Sequence, residues 1–272
     1  MPHRQLDPAL VAPLHGVIDE AEPAHAMPEI SVVVPVRNEE DNIIPLIAEI
    51  RAALDGRVDY EIIYVDDGSR DATAARLREA ATTFPRLRVR RYAHSLGQSA
   101  ALMTGARAAR APWIATLDGD GQNDPADIPR LYAAARKDPR LGLIVGYRRR
   151  RHDTLLKRVS SRIANGVRSR VLRDRTPDTG CGLKLIRREL YLALPYFDHM
   201  HRFLPALVQA LGAPTLSIDV NHRPRQRGRS NYGLHDRLWA GIVDLLGVLW
   251  LTRRMRAAAV FVAQEQRAGE DT

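Results

Sequence analysis

Short β-branched apolar runs alternate with stretches of helical periodicity through the first half of this chain. Ile30-Ser31-Val32-Val33-Val34-Pro35 has the continuous apolar character of a strand buried on both faces. A helical pattern follows from about Glu40 to Leu54. Glu61 to Val65 reads as a second strand, closed by Asp66-Asp67-Gly68-Ser69, with Asp71 opening a helix. Leu87 to Tyr92 is a third strand, Gly97 to Arg110 a third helix, Trp113 to Leu117 a fourth strand and Leu141 to Tyr147 a fifth. This order predicts an α/β fold with a mainly parallel sheet flanked by helices. Open α/β sheets hold ligands beyond the carboxyl ends of their strands. Three polar clusters fall there: Val34-Pro-Val-Arg-Asn-Glu39, Val65-Asp-Asp-Gly-Ser69 and Leu117-Asp-Gly-Asp-Gly-Gln122.

Past residue 150 the pattern loosens. Thr154 to Leu172 reads as a basic helix, Cys181 to Ile186 as a strand, Phe203 to Leu211 as a helix and Thr215 to Val220 as a strand. No internal repeat and no clear linker interrupts the chain, so residues 28–232 form one domain. Residues 1–27, rich in Pro, Ala, His and acidic groups, and residues 257–272 read as tails. No secretory signal opens the chain. The remaining segment, 233–256, contains a nearly all-apolar run from Leu238 to Leu251, broken by Asp244 and followed by Arg253, Arg254 and Arg256. A membrane span needs about 20 apolar residues, so this run is too short to cross a bilayer. Trp239 and Trp250 beside arginines suit an amphipathic helix lying in a membrane interface. The same residues also suit a helix packed into the core, or a seam in a homo-oligomer.

Charge sharpens this picture. The chain carries a formal +9, unevenly placed. Arg148 to Arg151 are consecutive, residues 157–175 hold seven basic side chains, and Arg223, Arg225, Arg227 and Arg229 alternate. Arginine at such density seeks phosphate, as nucleotide, nucleic acid or anionic lipid. Nucleic acid fits poorly, because aromatic residues make up 6% of the chain and the polar loops are acidic. The single cysteine, Cys181, excludes an intramolecular disulfide and a cysteine-based zinc cluster, which suits a reducing cytoplasmic setting.

The chemistry concentrates at Asp118 and Asp120. Two carboxylates two residues apart, at the end of a buried strand, project into a crevice and can share a divalent cation. With the amide of Gln122 they form an oxygen-only set that suits Mg²⁺ or Mn²⁺ rather than zinc. Mg²⁺ is usually bound through one or two carboxylates together with substrate phosphates. A plain loop of turn-forming residues is the alternative for this segment. For Asp66 and Asp67 the alternative is capping of the helix that follows.

Seven motifs stand in order: Val34-Pro-Val-Arg-Asn-Glu39, Val65-Asp-Asp-Gly-Ser69, Asp118-Gly-Asp-Gly-Gln122, Gly146-Tyr-Arg148, Asp178-Thr-Gly-Cys-Gly182, His201-Arg-Phe-Leu-Pro205, and Pro224-Arg225 leading into Gly228-Arg-Ser230. In combination they resemble the family 2 glycosyltransferases, in the branch that moves a sugar from a nucleotide onto a polyprenyl phosphate. The resemblance runs from about Ile30 to Trp250. It implies a GT-A fold, a GDP- or UDP-linked sugar donor, and inverting transfer at the cytoplasmic face of the cell membrane by a peripheral enzyme. It further implies that Pro35, Arg37 and Glu39 line the donor side and that Asp66 and Asp67 contact base or ribose. Asp118, Asp120 and Gln122 would hold the metal and diphosphate. Arg148 would face the acceptor phosphate, with Lys157, Arg158, Ser161 and Asp178 beside it, and Arg225 and Ser230 would close over the donor diphosphate. Many relatives carry lysine after that serine, where this chain has Asn231.

A phosphate acceptor is already ionised at neutral pH and needs cations rather than a general base, which accounts for many basic residues and no evident base. A sugar hydroxyl would instead call for a positioned carboxylate or histidine. Asp178 is the best-placed carboxylate for that rival reaction, and a structural loop role suits it equally. A non-catalytic protein that binds nucleotide-sugar is a third reading, opposed by the intact Asp118, Asp120 and Gln122.

Overall fold

The computed structural model describes residues 27–148, 166, 168–172, 174, 176–224 and 236–255, with the backbone alone for 236–242. Seven strands form one sheet: β1 (Ile30–Val36), β2 (Tyr60–Asp66), β3 (Leu87–Arg91), β4 (Trp113–Thr116), β5 (Leu143–Tyr147), β6 (Lys184–Arg187) and β7 (Thr215–Asp219). Their order across the sheet is β3-β2-β1-β4-β6-β5-β7. All neighbours pair in parallel except β6, which runs antiparallel to both β4 and β5. The helices are α1 (Ile43–Leu54), α2 (Thr73–Thr83), α3 (Gln98–Ala108), α4 (Ile128–Lys137), α5 (Arg188–Ala193), α6 (Leu204–Ala210) and α7 (Asp236–Arg254).

The apolar runs of β1 and β2 are continuous because the sheet is covered on both sides. Val32, Val34, Ile62 and Tyr64 join a core shared with residues of α1, α2 and α4, whereas Val33, Ile63 and Val65 join a second core with residues of α3, α5, α6 and α7. Burying each such aliphatic side chain contributes roughly 1.5–3 kcal/mol, so this central pair of strands fixes the sheet.

Several bounds differ from the sequence expectation, for local reasons. Helix α1 begins at Ile43 rather than Glu40, because Asn42 N–H donates to the Glu39 carbonyl (2.9 Å) in a turn. Strand β6 begins at Lys184 rather than Cys181, and the carbonyls of Cys181 and Gly182 accept from the side chains of Lys184 and Thr116 instead. Helix α4 was not expected. Its buried face is only Ile128, Leu131 and Ala135, and Pro129 stands in its first turn. Of the basic helix expected at 154–172, the described residues 166 and 168–172 are helical and the rest lie outside the described residues.

Helix α7 has two faces. Val248 is 1% exposed, and Leu245, Leu251 and Met255 pack beside it on the second core. Opposite them, Val243, Leu246 and Trp250 are 65, 60 and 61% exposed, and Arg253 and Arg254 are exposed at the helix end. The Arg254 guanidinium lies 5.7 Å from the Trp250 ring centroid, within cation–π range. Among the described residues, no helix is long and apolar enough to cross a membrane.

Candidate active site

Parallel pairing of Val36 with Asp66 and of Val33 with Thr116 brings the loops after β1, β2 and β4 to one edge of the sheet. The first two are zipped together. Asn38, at φ +55°, donates its N–H to Ser69 Oγ (2.9 Å), and its Oδ1 accepts from Arg70 N–H (2.8 Å). Glu39 N–H donates to Thr73 Oγ1 (2.9 Å), and Glu39 Oε2 accepts from Asn42 Nδ2 (2.6 Å). Pro35 is half-buried and Arg37 exposed on this rim.

The adjacent aspartates differ in their partners. Asp66 is fully buried, with Oδ1 accepting from Ser69 N–H (2.9 Å) and Arg91 Nε standing 3.1 Å from Oδ2. Asp67 accepts from Ser95 Oγ (2.6 Å), Leu96 N–H (2.7 Å) and Gly97 N–H (3.1 Å). Neither caps α2. Asp71 serves that end through Thr73 N–H (3.0 Å), and Asp67 instead anchors the entry to α3. Between the two loops Gly68 sits at φ +68°, where a Cβ would lie 2.7 Å from the backbone of His94 and Ser95.

Past β4 the chain turns through the carboxylate pair. Asp118 N–H donates to Asn123 Oδ1 (3.0 Å), and Asp118 Oδ1 accepts from Gln98 Nε2 (3.0 Å). Its other oxygen abuts Gly182, where a Cβ would lie 2.1 Å from Oδ2. Asp120 Oδ1 accepts from Gln122 N–H (3.1 Å). The loop is braced from the far side of the chain, because Arg223 donates its N–H to the Gln122 carbonyl (3.0 Å) and Nη2 to the Asn123 carbonyl (2.9 Å). Burial pushes the Asp118 carboxyl above the usual carboxylate range, and the Asp120 charge adds to this; Lys184, Arg148 and the Gln98 amide oppose it. Among the described residues, no set of three His, Cys, Asp or Glu side chains could hold a metal ion. Two carboxylates and an amide fit Mg²⁺ or Mn²⁺ bound jointly with substrate oxygens, and do not make a closed protein cage.

Beside the pair stands a group of buried cations. Arg148 and Asp178 form a two-pronged ion pair, Nε to Oδ2 at 2.7 Å and Nη2 to Oδ1 at 3.0 Å, with side chains 13 and 4% exposed. Lys184, buried on β6, donates to the Cys181 carbonyl, and Thr116 Oγ1 donates to the Gly182 carbonyl (2.7 Å). Burial lowers the Lys184 ammonium, while Cys181, Asp118 and Asp178 favour its charge. His201 has Nδ1 2.8 Å from Ser99 Oγ. Its imidazole is pushed down to about 3, first by burial and then by Lys184, Arg202 and His199.

The structure thus brings Asp118, Asp120, Gln122, Arg148 and Asp178 into one region. Pro35, Arg37, Glu39, Asp66 and Asp67 lie on the adjoining rim. Lys157, Arg158, Ser161, Arg225, Ser230 and Asn231 lie outside the described residues. Gln98 and Lys184 were missed. Lys184 left a readable trace, a charged residue between Leu183 and Leu185 in a strand-like run.

A mainly parallel sheet with one reversed strand and an acidic loop after the fourth strand defines a GT-A-like fold. The glucosyl-3-phosphoglycerate synthase of Mycobacterium tuberculosis, solved with Mn²⁺, UDP and glucosyl-3-phosphoglycerate, superimposes with a TM-score of 0.63 at 22% identity, covering 86% of each chain. The family model for glycosyl transferase family 2 matches residues 31–194, and the chain belongs to that family. It is a glycosyltransferase. It is 37% identical over 252 residues to the dodecaprenyl-phosphate galacturonate synthase of Rhizobium johnstonii, across 89% of this chain and 72% of that protein. It is 36% identical over 239 residues to the undecaprenyl-phosphate 4-deoxy-4-formamido-L-arabinose transferase of Edwardsiella ictaluri, across 85% of this chain and 71% of that one.

Proposed function

We propose that this glycosyltransferase moves a hexose-type sugar from a GDP- or UDP-linked donor to a polyprenyl phosphate, with inversion at the anomeric carbon. The observation that carries the reading is the acidic pair Asp118/Asp120 standing beside part-buried Arg148 and buried Lys184. In the reaction, a phosphate oxygen of the acceptor forms a bond to the anomeric carbon as the bond to the donor diphosphate breaks. The nucleoside diphosphate leaves with the electron pair. A phosphate nucleophile gives up no proton, so no base is required.

Arg148 would orient that phosphate, and Asp178 holds its guanidinium in place. Lys157, Arg158 and Ser161 would add further donors on the acceptor side. Pro35, Arg37, Glu39 and Asp66 would line the nucleotide, while Asp67 shapes the pocket through the 95–97 loop. Asp118, Asp120 and Gln122 would hold Mg²⁺ or Mn²⁺. Such a cation, when bound, supplies charge against the growing negative charge of the leaving diphosphate. Arg225 and Ser230 would close over that diphosphate.

The hydroxyl-acceptor reading needs a base, and two nearby candidates are spoken for. Asp178 is committed to Arg148, and His201 is too weakly basic at neutral pH. Both the lipid acceptor and the exposed face of α7 support a peripheral position at the cytoplasmic membrane surface. Each arginine near an anionic surface adds about 1 kcal/mol of attraction.

The test is a product assay with undecaprenyl phosphate, Mg²⁺ or Mn²⁺ and a panel of UDP- and GDP-sugars, read by mass spectrometry of the lipid fraction. A polyprenyl monophosphate sugar formed only with metal, and absent in Asp120→Ala, is the expected result. Turnover of a donor with a free sugar or glycolipid, and none with the lipid phosphate, would overturn it.

A further inference from the structure

We propose that Gln98 is a positioning residue for Asp118, fixing which face of that carboxylate is turned toward the donor diphosphate. The proposal rests on the reading of Asp118 as a donor-side carboxylate.

Gln98 is the first residue of α3, and that point of the chain is pinned from both sides. Before it, the Asp67 carboxylate gathers Ser95 Oγ and the N–H groups of Leu96 and Gly97. Gly97 sits at φ +92°, a conformation that side chains rarely adopt. After it, fully buried Ser99 pairs with His201 Nδ1 at 2.8 Å and accepts from the His201 N–H at 3.4 Å. The Cα of Gln98 therefore has little freedom, and its amide is aimed across to Asp118 Oδ1 at 3.0 Å.

The opposite face of Asp118 is equally constrained. Gly182 brings bare backbone against Oδ2, where any side chain would collide at 2.1 Å. Thr116 and Lys184 hold that backbone by bonding to the carbonyls of Gly182 and Cys181. Asp118 is thus gripped between an amide on one side and a glycine on the other.

The chemistry of the donor matters. Lysine or arginine at position 98 would orient the carboxylate equally well, yet would place a full positive charge next to an incoming divalent cation. A neutral amide orients without that repulsion. Cations are present in the region, but Lys184 is held in the interior by the Cys181 carbonyl and Arg148 by Asp178.

The experiment compares wild type, Gln98→Leu and Gln98→Asn. Mn²⁺ affinity in the presence of UDP or GDP would be measured by electron paramagnetic resonance, alongside kcat, the KM for polyprenyl phosphate and Tm. Gln98→Leu loses the donor and Gln98→Asn keeps it, and both side chains fall one atom short of glutamine. Both are expected to weaken Mn²⁺–nucleotide binding and lower kcat by roughly tenfold, about the worth of one hydrogen bond to a charged group. Acceptor KM and Tm should stay at the wild-type values. Wild-type affinity and kcat in both variants would overturn the proposal, as would a loss that follows a fall in Tm. A wild-type protein that binds no Mn²⁺–nucleotide would overturn the underlying reading of the site and this proposal with it.

Discussion

Asp178→Asn tests the centre of the acceptor-side argument. Arg148 donates two side-chain bonds to Asp178, at 2.7 and 3.0 Å, and its own backbone N–H donates to the same carboxylate at 3.3 Å. The side chains are 13 and 4% exposed, so water cannot replace the lost partner. Removing one member of such a buried pair costs about 3–5 kcal/mol, because the remaining charge is left uncompensated. Asparagine keeps one acceptor oxygen, which puts the expected loss near the lower end, about 3 kcal/mol. Lys184 aggravates the loss, since its ammonium and Arg148 repel one another and Asp178 offsets that repulsion. In a chain of this size 1 kcal/mol moves Tm by about 2–4 °C, so the melting temperature should fall by about 6–12 °C. Circular dichroism during heating and urea unfolding would measure it. The double variant Arg148→Met/Asp178→Leu removes both charges and should recover much of the loss, giving a clear coupling term. In the product assay Asp178→Asn should raise the KM for polyprenyl phosphate while leaving the donor KM in place. A variant that melts within about 2 °C of wild type with an unchanged acceptor KM would refute the assignment of Asp178 as the holder of Arg148.

Three further outcomes follow from the geometry. Gly182→Ala drives a methyl group into Asp118, and displacing that carboxylate should cost about 100-fold or more in kcat with native secondary structure retained by circular dichroism; wild-type turnover would refute the contact. Leu246→Glu combined with Trp250→Glu alters only the exposed face of α7, so co-sedimentation with anionic vesicles should be lost at unchanged Tm, and retained binding would rule that face out as the contact. His201 is depressed from 6.5 to about 3, so between those values the unfolded chain takes up a proton that the native protein refuses. Stability is therefore lost as pH falls through that window, and urea unfolding at about pH 7.5 and about pH 4.5 should show a smaller loss in His201→Asn; equal losses would contradict it.

The sheet was largely legible because its central strands are covered on both faces and so carry unbroken β-branched runs. The polar loops were legible because parallel pairing sends them to one edge. Helix α4 was not, since only three of its ten residues are buried and a proline stands in its first turn. The role of Asp67 was hidden for another reason: its partners at 95–97 come from a loop about 30 residues away, and only the chain path shows that they meet. Gln98 was silent for the same cause, being 20 residues from the carboxylate it touches. Lys184 could have been noticed, because a charge inside an apolar strand must be compensated somewhere. Its neighbourhood of Cys181, Asp118 and Asp178 is what compensates it.

Helix α7 has a practical consequence for anyone wishing to shorten this enzyme. Its exposed stripe invites truncation before residue 236, as though the helix were a detachable float. The opposite face argues against the cut. Val248 is sealed into the second core, and Asp244 Oδ2 lies 3.0 Å from Nδ1 of His199, whose backbone is left-handed at φ +63°. Two residues past His199 stands His201, the partner of Ser99 at the foot of α3. Truncation would unroof that core and release the segment that braces the start of α3. Solubility is better sought by recolouring the outer stripe at Val243, Leu246 and Trp250, with the helix left where it is. The last of the described helices is a keystone with a greasy outer face.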